Sequence, residues 1–547
     1  MREGTRKFIG NGIALSLAAL LLRTVSVSFG AYVSGQIGAE GMGLYSLVMS
    51  IYTLAVTFAT SGVQLAVTRL VSEALGRGED GGARAALRTA LGYAAVCGAL
   101  SATVLFLGAP FFGEHILGDG RAVPALRLLS AALLPIALSS VFSGYFTAVR
   151  RPSRSAAVSV AEQGVRILFT VWLLGALLPA GLTYACLALV GGSAIAEMLS
   201  AAVLGLLYLF DKRRLARTAR GEGRGRLRPL LRITLPIAAS SYIRSALVSA
   251  EHILIPRALT GGGASREETL GAYGTLSGMA LPIALYPMAV LSSFAGLLVP
   301  EVAEGSARGD VAGNRRLCER ALMLALWFGM AVGGVISAFA TPLSRAVYGT
   351  DAPGRYLALL GPVIPVMYLD HVTDVMLKGL GRQVYAMVVN ILDSVGSILL
   401  VLLLLPRLGA IGYVGVIALA EVFNFALSIA GLSGALPFRF PLLRGALYPA
   451  AAILTAVTLS RLLIPVTGVG TLLLAILFSL LCYGAVLALL LFLERLCLPL
   501  DKGRVFGYNR NAPHGAIREG RSAEWKAAAS QGIANCRAVR QGRASGS

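Results

Sequence analysis

Charge is scarce in this chain. Asp, Glu, Lys and Arg make up 14% of its 547 residues, where a soluble domain carries nearer a quarter. Histidine and cysteine are scarcer still. The four histidines, His115, His252, His371 and His514, show no ligand spacing. The six cysteines, Cys97, Cys186, Cys318, Cys482, Cys497 and Cys536, contain no C-x-x-C pair, so no zinc or dithiol motif is present. In an apolar helix a cysteine behaves as a small hydrophobe. No P-loop, G-x-S-x-G or H-E-x-x-H pattern occurs, so nothing supports nucleotide hydrolysis or a hydrolase site. The connections near 113–123, 260–268 and 342–355 are short, which argues against the carboxylate-bearing outer loop of a membrane glycan polymerase. We assign no catalytic residue, metal or cofactor and read no enzyme. A signal-peptide cleavage pattern is missing too: the apolar run from Phe8 leads straight into further spans.

What is abundant is apolar length. The chain is 56% apolar with mean hydropathy +0.75, and most of it lies in runs of about 20 residues, the length that crosses a bilayer core as a helix. Fourteen helices are predicted, over 8–34, 42–72, 84–112, 124–149, 156–178, 182–210, 230–259, 269–300, 316–341, 356–379, 384–405, 409–436, 444–464 and 469–495. Alternate connections differ in charge: 27 Lys and Arg fall on one set and 8 on the other. Positive loops stay cytoplasmic. The expectation is a multi-pass protein of the bacterial cytoplasmic membrane with both termini cytoplasmic. The net charge of +21 is spread over short loops rather than one soluble face, which excludes nucleic acid as the partner and leaves anionic membrane lipids.

A charged pattern occurs twice, 231 residues apart. Glu73, Arg77, Gly78, Glu79 and Arg84 answer to Glu304, Arg308, Gly309, Asp310 and Arg315. Gly43 and Tyr45 answer to Gly271 and Tyr273, Pro135 to Pro365, and Glu162 to Asp393. The near-constant offset points to a duplicated membrane unit, as in many secondary transporters. The fold class expected is all-α, with two pseudo-symmetric six-helix lobes plus two extra C-terminal helices. The divisions are an N-terminal lobe at 1–210, a basic cytoplasmic linker at 211–229 and a C-terminal lobe at 230–436. Helices 13 and 14 follow at 437–497, then a disordered cytoplasmic tail at 498–547.

Two segments carry a family resemblance. Residues 35–73 read GQIGAEGMGLYSLVMSIYTLAVTFATSGVQLAVTRLVSE, and residues 143–167 read SGYFTAVRRPSRSAAVSVAEQGVRI. Their IGAEGMGLY turn, SGVQLAVTRLVSE helix end and GYF…AEQGVRI run resemble the stage V sporulation protein B family. That family belongs to the oligosaccharide flippases, in a superfamily with the multidrug extrusion transporters and lipid II flippases. The resemblance covers roughly residues 5–495. It implies a pair of six-helix lobes around a central cavity, handling an undecaprenyl-linked sugar or lipid II-like precursor alongside cell-wall synthesis enzymes, with a role in spore cortex. It also implies that helices 13 and 14 form a groove for the isoprenoid. The alternative within the superfamily is a multidrug or cation antiporter.

Ionisable residues at membrane depth mark sites or internal pairs. Arg23 and Arg244 lie near the middle of helices 1 and 7 and suit a diphosphate headgroup, since Arg offers forked donors and stays charged. Glu251 and His252, with Asp370 and Asp374 on helix 10, are candidates to carry a coupling ion. Lys378 is spaced to pair with Asp374, and Glu162 with Arg166. Glu197, Asp393 and Glu421 have no assigned role. The duplicated motif is read either as a helix stop that fixes topology or as a cytoplasmic gate, in which Glu73 and Arg77 of one lobe meet Arg308 and Glu304 of the other.

Overall fold

The computed structural model describes residues 3–77, 79–215, 227–261, 263, 265–437 and 443–497, with side chains from Arg23 onward except at 80, 212–215, 293, 295–297 and 495–497. The linker between 216 and 226 and the tail from 498 lie outside the described residues, and so does the expected disorder of that tail. What is described is helix and turn, with no strand among the described residues. The first half contains α1 (Glu3–Thr60), α2 (Val63–Gly76), α3 (Asp80–Pro110), α4 (Ala122–Ala148), α5 (Pro152–Leu177) and α6 (Leu182–Leu215). The second contains α7 (Leu227–Gly261), α8 (Arg266–Tyr273), α9 (Leu281–Leu285), α10 (Met288–Ala307), α11 (Val311–Ala338), α12 (Ala340–Tyr348), α13 (Ala352–Leu360), α14 (Ile364–Gly379) and α15 (Gln383–Ala435). Last come α16 (Tyr448–Leu463) and α17 (Val469–Cys497).

Among the described residues nine helical stretches are long and apolar enough to cross a membrane, or ten when the bent pair α13 and α14 counts as one span. The longest two contain 54 and 53 residues, each enough for two crossings at 1.5 Å per residue. They are interrupted at Gly38 (φ 69°), between the predicted helices 8–34 and 42–72, and at Gly409 (φ 60°), the first residue of the predicted helix 409–436. Other predicted helices are broken more than the apolar pattern shows. The run 42–72 stops at Gly62, in the left-handed region and so tight against Thr234 that a Cβ would sit 2.9 Å from its carbonyl oxygen. The run 269–300 divides into α8, a π turn at Gly274–Ala280, α9 and α10. α6 runs on to Leu215, past the predicted start of the linker, because Asp211 is buried and accepts from Arg151, Arg154 and Tyr145.

The backbone repeats with the sequence. Left-handed corners fall at Gly118 and Gly349 and at Arg150 and Gly381, each pair 231 residues apart. The turn after α4 and the turn after α14 have the same two bonds. Arg150 N–H donates to Thr147 O and Arg151 N–H to Phe146 O; Gly381 N–H donates to Lys378 O and Arg382 N–H to Leu377 O. Gly98 on α3 packs against α4 as Gly329 on α11 packs against α14.

Three apolar cores hold the bundle. The largest draws on both halves, from Leu44, Leu126 and Leu189 to Tyr273, Tyr368 and Val401. A second gathers Val67, Leu87 and Phe146 of the first half with Leu230. A third gathers Val302, Leu322 and Met376 of the second half. The smaller cores share no member and lie at the arginine-rich end. The two halves are therefore sealed together at the opposite end, while at the arginine-rich one their cores are separate except that Leu230, at the start of α7, joins that of the first half.

α16 and α17 attach to α11. Tyr483 Oη donates to Trp327 O at 2.9 Å, Trp327 Nε1 to Arg444 O at 3.0 Å, and Ser460 Oγ to Ala475 O at 2.9 Å. Leucines of α17 such as Leu473 and Leu481 remain exposed, as befits a helix whose outer face meets lipid.

Candidate functional site

A cavity of about 680 Å³ lies beneath the shared core. Its walls are the part of α1 beyond Gly38 (Tyr45 to Thr60), Ser61, α7 (Ser241 to His252), Tyr273 at the end of α8 and Ser277 of the π turn Gly274–Ala280. Ten of its sixteen lining residues are Ser or Thr. In a membrane helix a hydroxyl without a partner is costly, so it donates to a nearby acceptor. Ser50 donates to Leu47 O, Thr57 to Thr53 O, Thr60 to Val56 O, Ser241 to Ile237 O and Ser249 to Ser50 O, all at 2.7–2.9 Å. Ser245 donates to Thr57 Oγ1 at 3.1 Å. These six hydroxyls have spent their hydrogens and keep oxygen lone pairs. The wall thus accepts more than it donates. Arg244 is the permanent cation among the described lining residues, and no carboxylate is among them.

The predicted charged residues fall into separate places. Arg244 lines the cavity. Arg23 is exposed on α1 and is not among the lining residues; its neighbour Thr24 meets Tyr286 at 2.8 Å (Oγ1 to Oη), tying α1 to the turn between α9 and α10. The two arginines therefore do not share the cavity wall in this conformation. His252 lines the cavity with Nδ1 2.9 Å from Tyr273 Oη. Glu251 lies within electrostatic reach of Asp393, and Asp393 of Asp370, Glu421 and Arg244. Asn424 Nδ2 donates to Asp370 Oδ2 at 3.2 Å, while Asp370 Oδ1 and Asp393 Oδ1 are buried without a partner. Asp374 pairs with Lys378, and His371 Nε2 lies 2.9 Å from Ser292 Oγ. Asp370, Asp393, Glu421 and Glu251 thus form one acidic group inside the second half.

The first half has its own network, of which the sequence offered only the Glu162–Arg166 spacing. Arg166 Nη2 bonds Glu162 at 2.8 Å and sits 3.8 Å from Glu197, which in turn accepts from Tyr52 Oη. Glu197 and Tyr52 are 145 residues apart, and nothing in a single sequence links them.

The duplicated motif is paired locally. Glu73 bonds Arg69 at 2.8 Å and lies 4.0 Å from Arg77; Glu304 bonds Arg308 of its own helix. All are exposed, at the end where the cores are separate. At the sealed end, arginines of the second half grip the first. Arg257 donates to His115 O, and Arg266 Nη2 donates to Leu117 O at 2.6 Å, with its Nε 3.7 Å from Asp119. Arg121 holds both Asp119 and Glu40 at 2.8 Å. Burial raises the Asp119 carboxyl, but the bonds from the Arg121 side chain and backbone outweigh it and hold the group below its ordinary value. Beneath this seal Gly43 and Gly274 bring the halves into backbone contact: a Cβ on Gly274 would strike Ala39 O and the Gly43 backbone.

A bundle of this kind, sealed at one end over a polar cavity, defines a membrane transporter fold. The polysaccharide biosynthesis protein family model matches residues 8–306, more than half of the chain; the protein belongs to that family. It is 26% identical to stage V sporulation protein B of Bacillus subtilis (strain 168) over 394 residues, which cover 70% of this chain and 74% of that one. It is 23% identical to the lipid II flippase MurJ of the same organism over 419 residues, again 70% and 74%. The fold matches a solved structure of lipid II flippase MurJ in an inward closed conformation, with TM-score 0.69 and 13% identity over 88% of this chain and 100% of that one. The resemblance read from residues 35–73 and 143–167 agrees with these likenesses.

Proposed function

We propose that the protein is a flippase that moves a lipid-linked oligosaccharide or peptidoglycan precursor across the cytoplasmic membrane by alternating access, in cell-wall or spore-cortex synthesis. The observation that carries this reading is the cavity wall. Oxygen lone pairs on six hydroxyls accept from O–H donors, which a sugar headgroup has in number, and Arg244 offers forked donors to a phosphate. The relatives' names support a lipid-linked precursor as the substrate, with undecaprenyl as the carrier and the enzymes of wall synthesis supplying and consuming it.

The charge asymmetry of the loops supports fourteen crossings with both termini cytoplasmic, so that the arginine-rich end faces the cytoplasm. The acidic group around Glu251, Asp370, Asp393 and Glu421, with His252 and Asp374 beside it, supports a coupling cation or proton in the second lobe. When the cytoplasmic mouth closes, Glu73 and Arg77 exchange their local partners for Arg308 and Glu304. Exposed pairs of this kind contribute about 0–1 kcal/mol, enough to bias two states without locking either.

Proteoliposomes test the reading. Wild-type protein should flip a fluorescent undecaprenyl-diphosphate disaccharide. Arg244→Ala should lower the rate at least tenfold, and Arg244→Lys should recover only part, because Lys loses the forked geometry. A cationic dye transported in place of the glycan, with Arg244→Ala harmless, establishes the antiporter reading instead.

A further inference from the structure

On the far side of the cavity wall lies a second, apolar pocket of about 360 Å³, within the ~300–1,000 Å³ range of ligand sites. It is bounded by Leu54, Ala55 and Phe58 of α1, by Leu100 and Val104 of α3, and by Tyr242 of α7. Leu100 and Val104 are exposed, so the pocket is open to the bilayer. Neighbouring residues of the same two helices face opposite ways. Thr57 and Arg244 line the polar cavity, while Phe58 and Tyr242 line the apolar pocket. The seam between α1 and α7 is pinned above by Ser245 on Thr57 and below by the tight contact of Gly62 with Thr234. Between those points it is closed by the Phe58 and Tyr242 rings, stacked with centroids 4.4 Å apart, and by a 3.3 Å bond from Tyr242 Oη to Phe58 O.

Among the described residues the polar cavity is lined only by α1 beyond Gly38, Ser61, α7, Tyr273 at the end of α8 and Ser277 of the π turn that follows it. A lipid whose headgroup rests on Arg244 has a hydrocarbon chain that must leave this cavity, and the seam beside Arg244 leads directly into the apolar pocket. We propose that the apolar pocket holds the first isoprene units of the substrate's polyprenyl chain, next to the headgroup, with the Phe58–Tyr242 stack as the door between the two compartments and the rest of the chain in the bilayer. The inference rests on the flippase reading above. It places the chain away from α16 and α17, which dock on α11 and supply none of these residues. Lipid tails are as apolar as the pocket, so the hydrophobic effect does not favour one chain over another. Selectivity comes from tethering: a chain joined to an anchored phosphate enters at high effective concentration.

Cys97 lines the pocket and reports on it. In the full chain with its other cysteines replaced by Ser, maleimide labelling of Cys97 in detergent should slow at least fivefold with undecaprenyl phosphate. Undecaprenol, which lacks the phosphate, and phosphatidylglycerol should leave the rate unchanged. In proteoliposomes Ala55→Trp, which puts an indole into the pocket, should cut glycan flipping at least tenfold. Equal protection by all three lipids overturns the site as a general lipid crevice. No protection, together with wild-type flipping by Ala55→Trp, also overturns it and leaves the flippase reading standing. No flipping by the wild type overturns that reading itself, whatever Cys97 shows.

Discussion

Arg150 is the one non-glycine residue with positive φ among those described, at 57°. It closes α4 with the turn that Gly381 makes at the end of α14. A side chain in the left-handed region costs roughly 1 kcal/mol that glycine does not incur, partly offset by glycine's greater freedom when unfolded. Arg150→Gly should therefore raise stability by roughly 0.5–1 kcal/mol, read as a higher midpoint of thermal unfolding in detergent. A lower midpoint would mean that the guanidinium contributes more than the backbone loses. The sequence hid this strain. Its repeat was visible in Glu73 and Glu304 and in Pro135 and Pro365, but nothing in one sequence says that Arg150 takes the role of Gly381.

At the scale of elements, the seal opposite the arginine-rich end closes the bundle there. Asp119 is its hub, held below the ordinary carboxylate value by Arg121 despite burial. The sign follows from linkage. A depressed carboxyl contributes its full stabilisation above the unfolded value of about 3.9, and loses it as pH falls through the folded value. Outside labelling of a single cysteine at Ser46, in the cavity, should stay slow and flat from about pH 8 to about pH 5 and rise only below about pH 4. Asp119→Asn should raise it roughly tenfold at neutral pH, since hydrogen bonds to charged groups contribute about 1.5–3 kcal/mol. A rise near pH 6 would point to a different group as the hub. Positions of helices were legible because apolar runs of about 20 residues are punctuated by arginine-rich turns. The breaks at Gly62 and through Gly274–Ala280 were not. They arise where the halves cross, at Thr234 and at Gly43, and such contacts join residues far apart in the chain.

For the whole molecule, the duplication was readable from a near-constant spacing and Arg244 from its depth in an apolar run, while a central cavity was what the family resemblance implied; Arg244 does line one. The chemistry of the cavity was not, because its serines and threonines are unremarkable in helices and become a surface only when α1 and α7 stand side by side. The sequence paired Arg23 with Arg244 by their depth; the structure puts only Arg244 on the wall. The central claim is that one cavity opens to alternate sides, and pulsed electron paramagnetic resonance tests it directly. Spin labels would sit at Ser72→Cys and Val311→Cys across the arginine-rich end, and at Glu114→Cys and Glu267→Cys across the sealed end, in a chain without other reactive cysteines. Adding an undecaprenyl-diphosphate disaccharide should give the first pair a shorter-distance population and the second a longer one. Distances that stay fixed at both ends, or that lengthen together, would contradict alternating access.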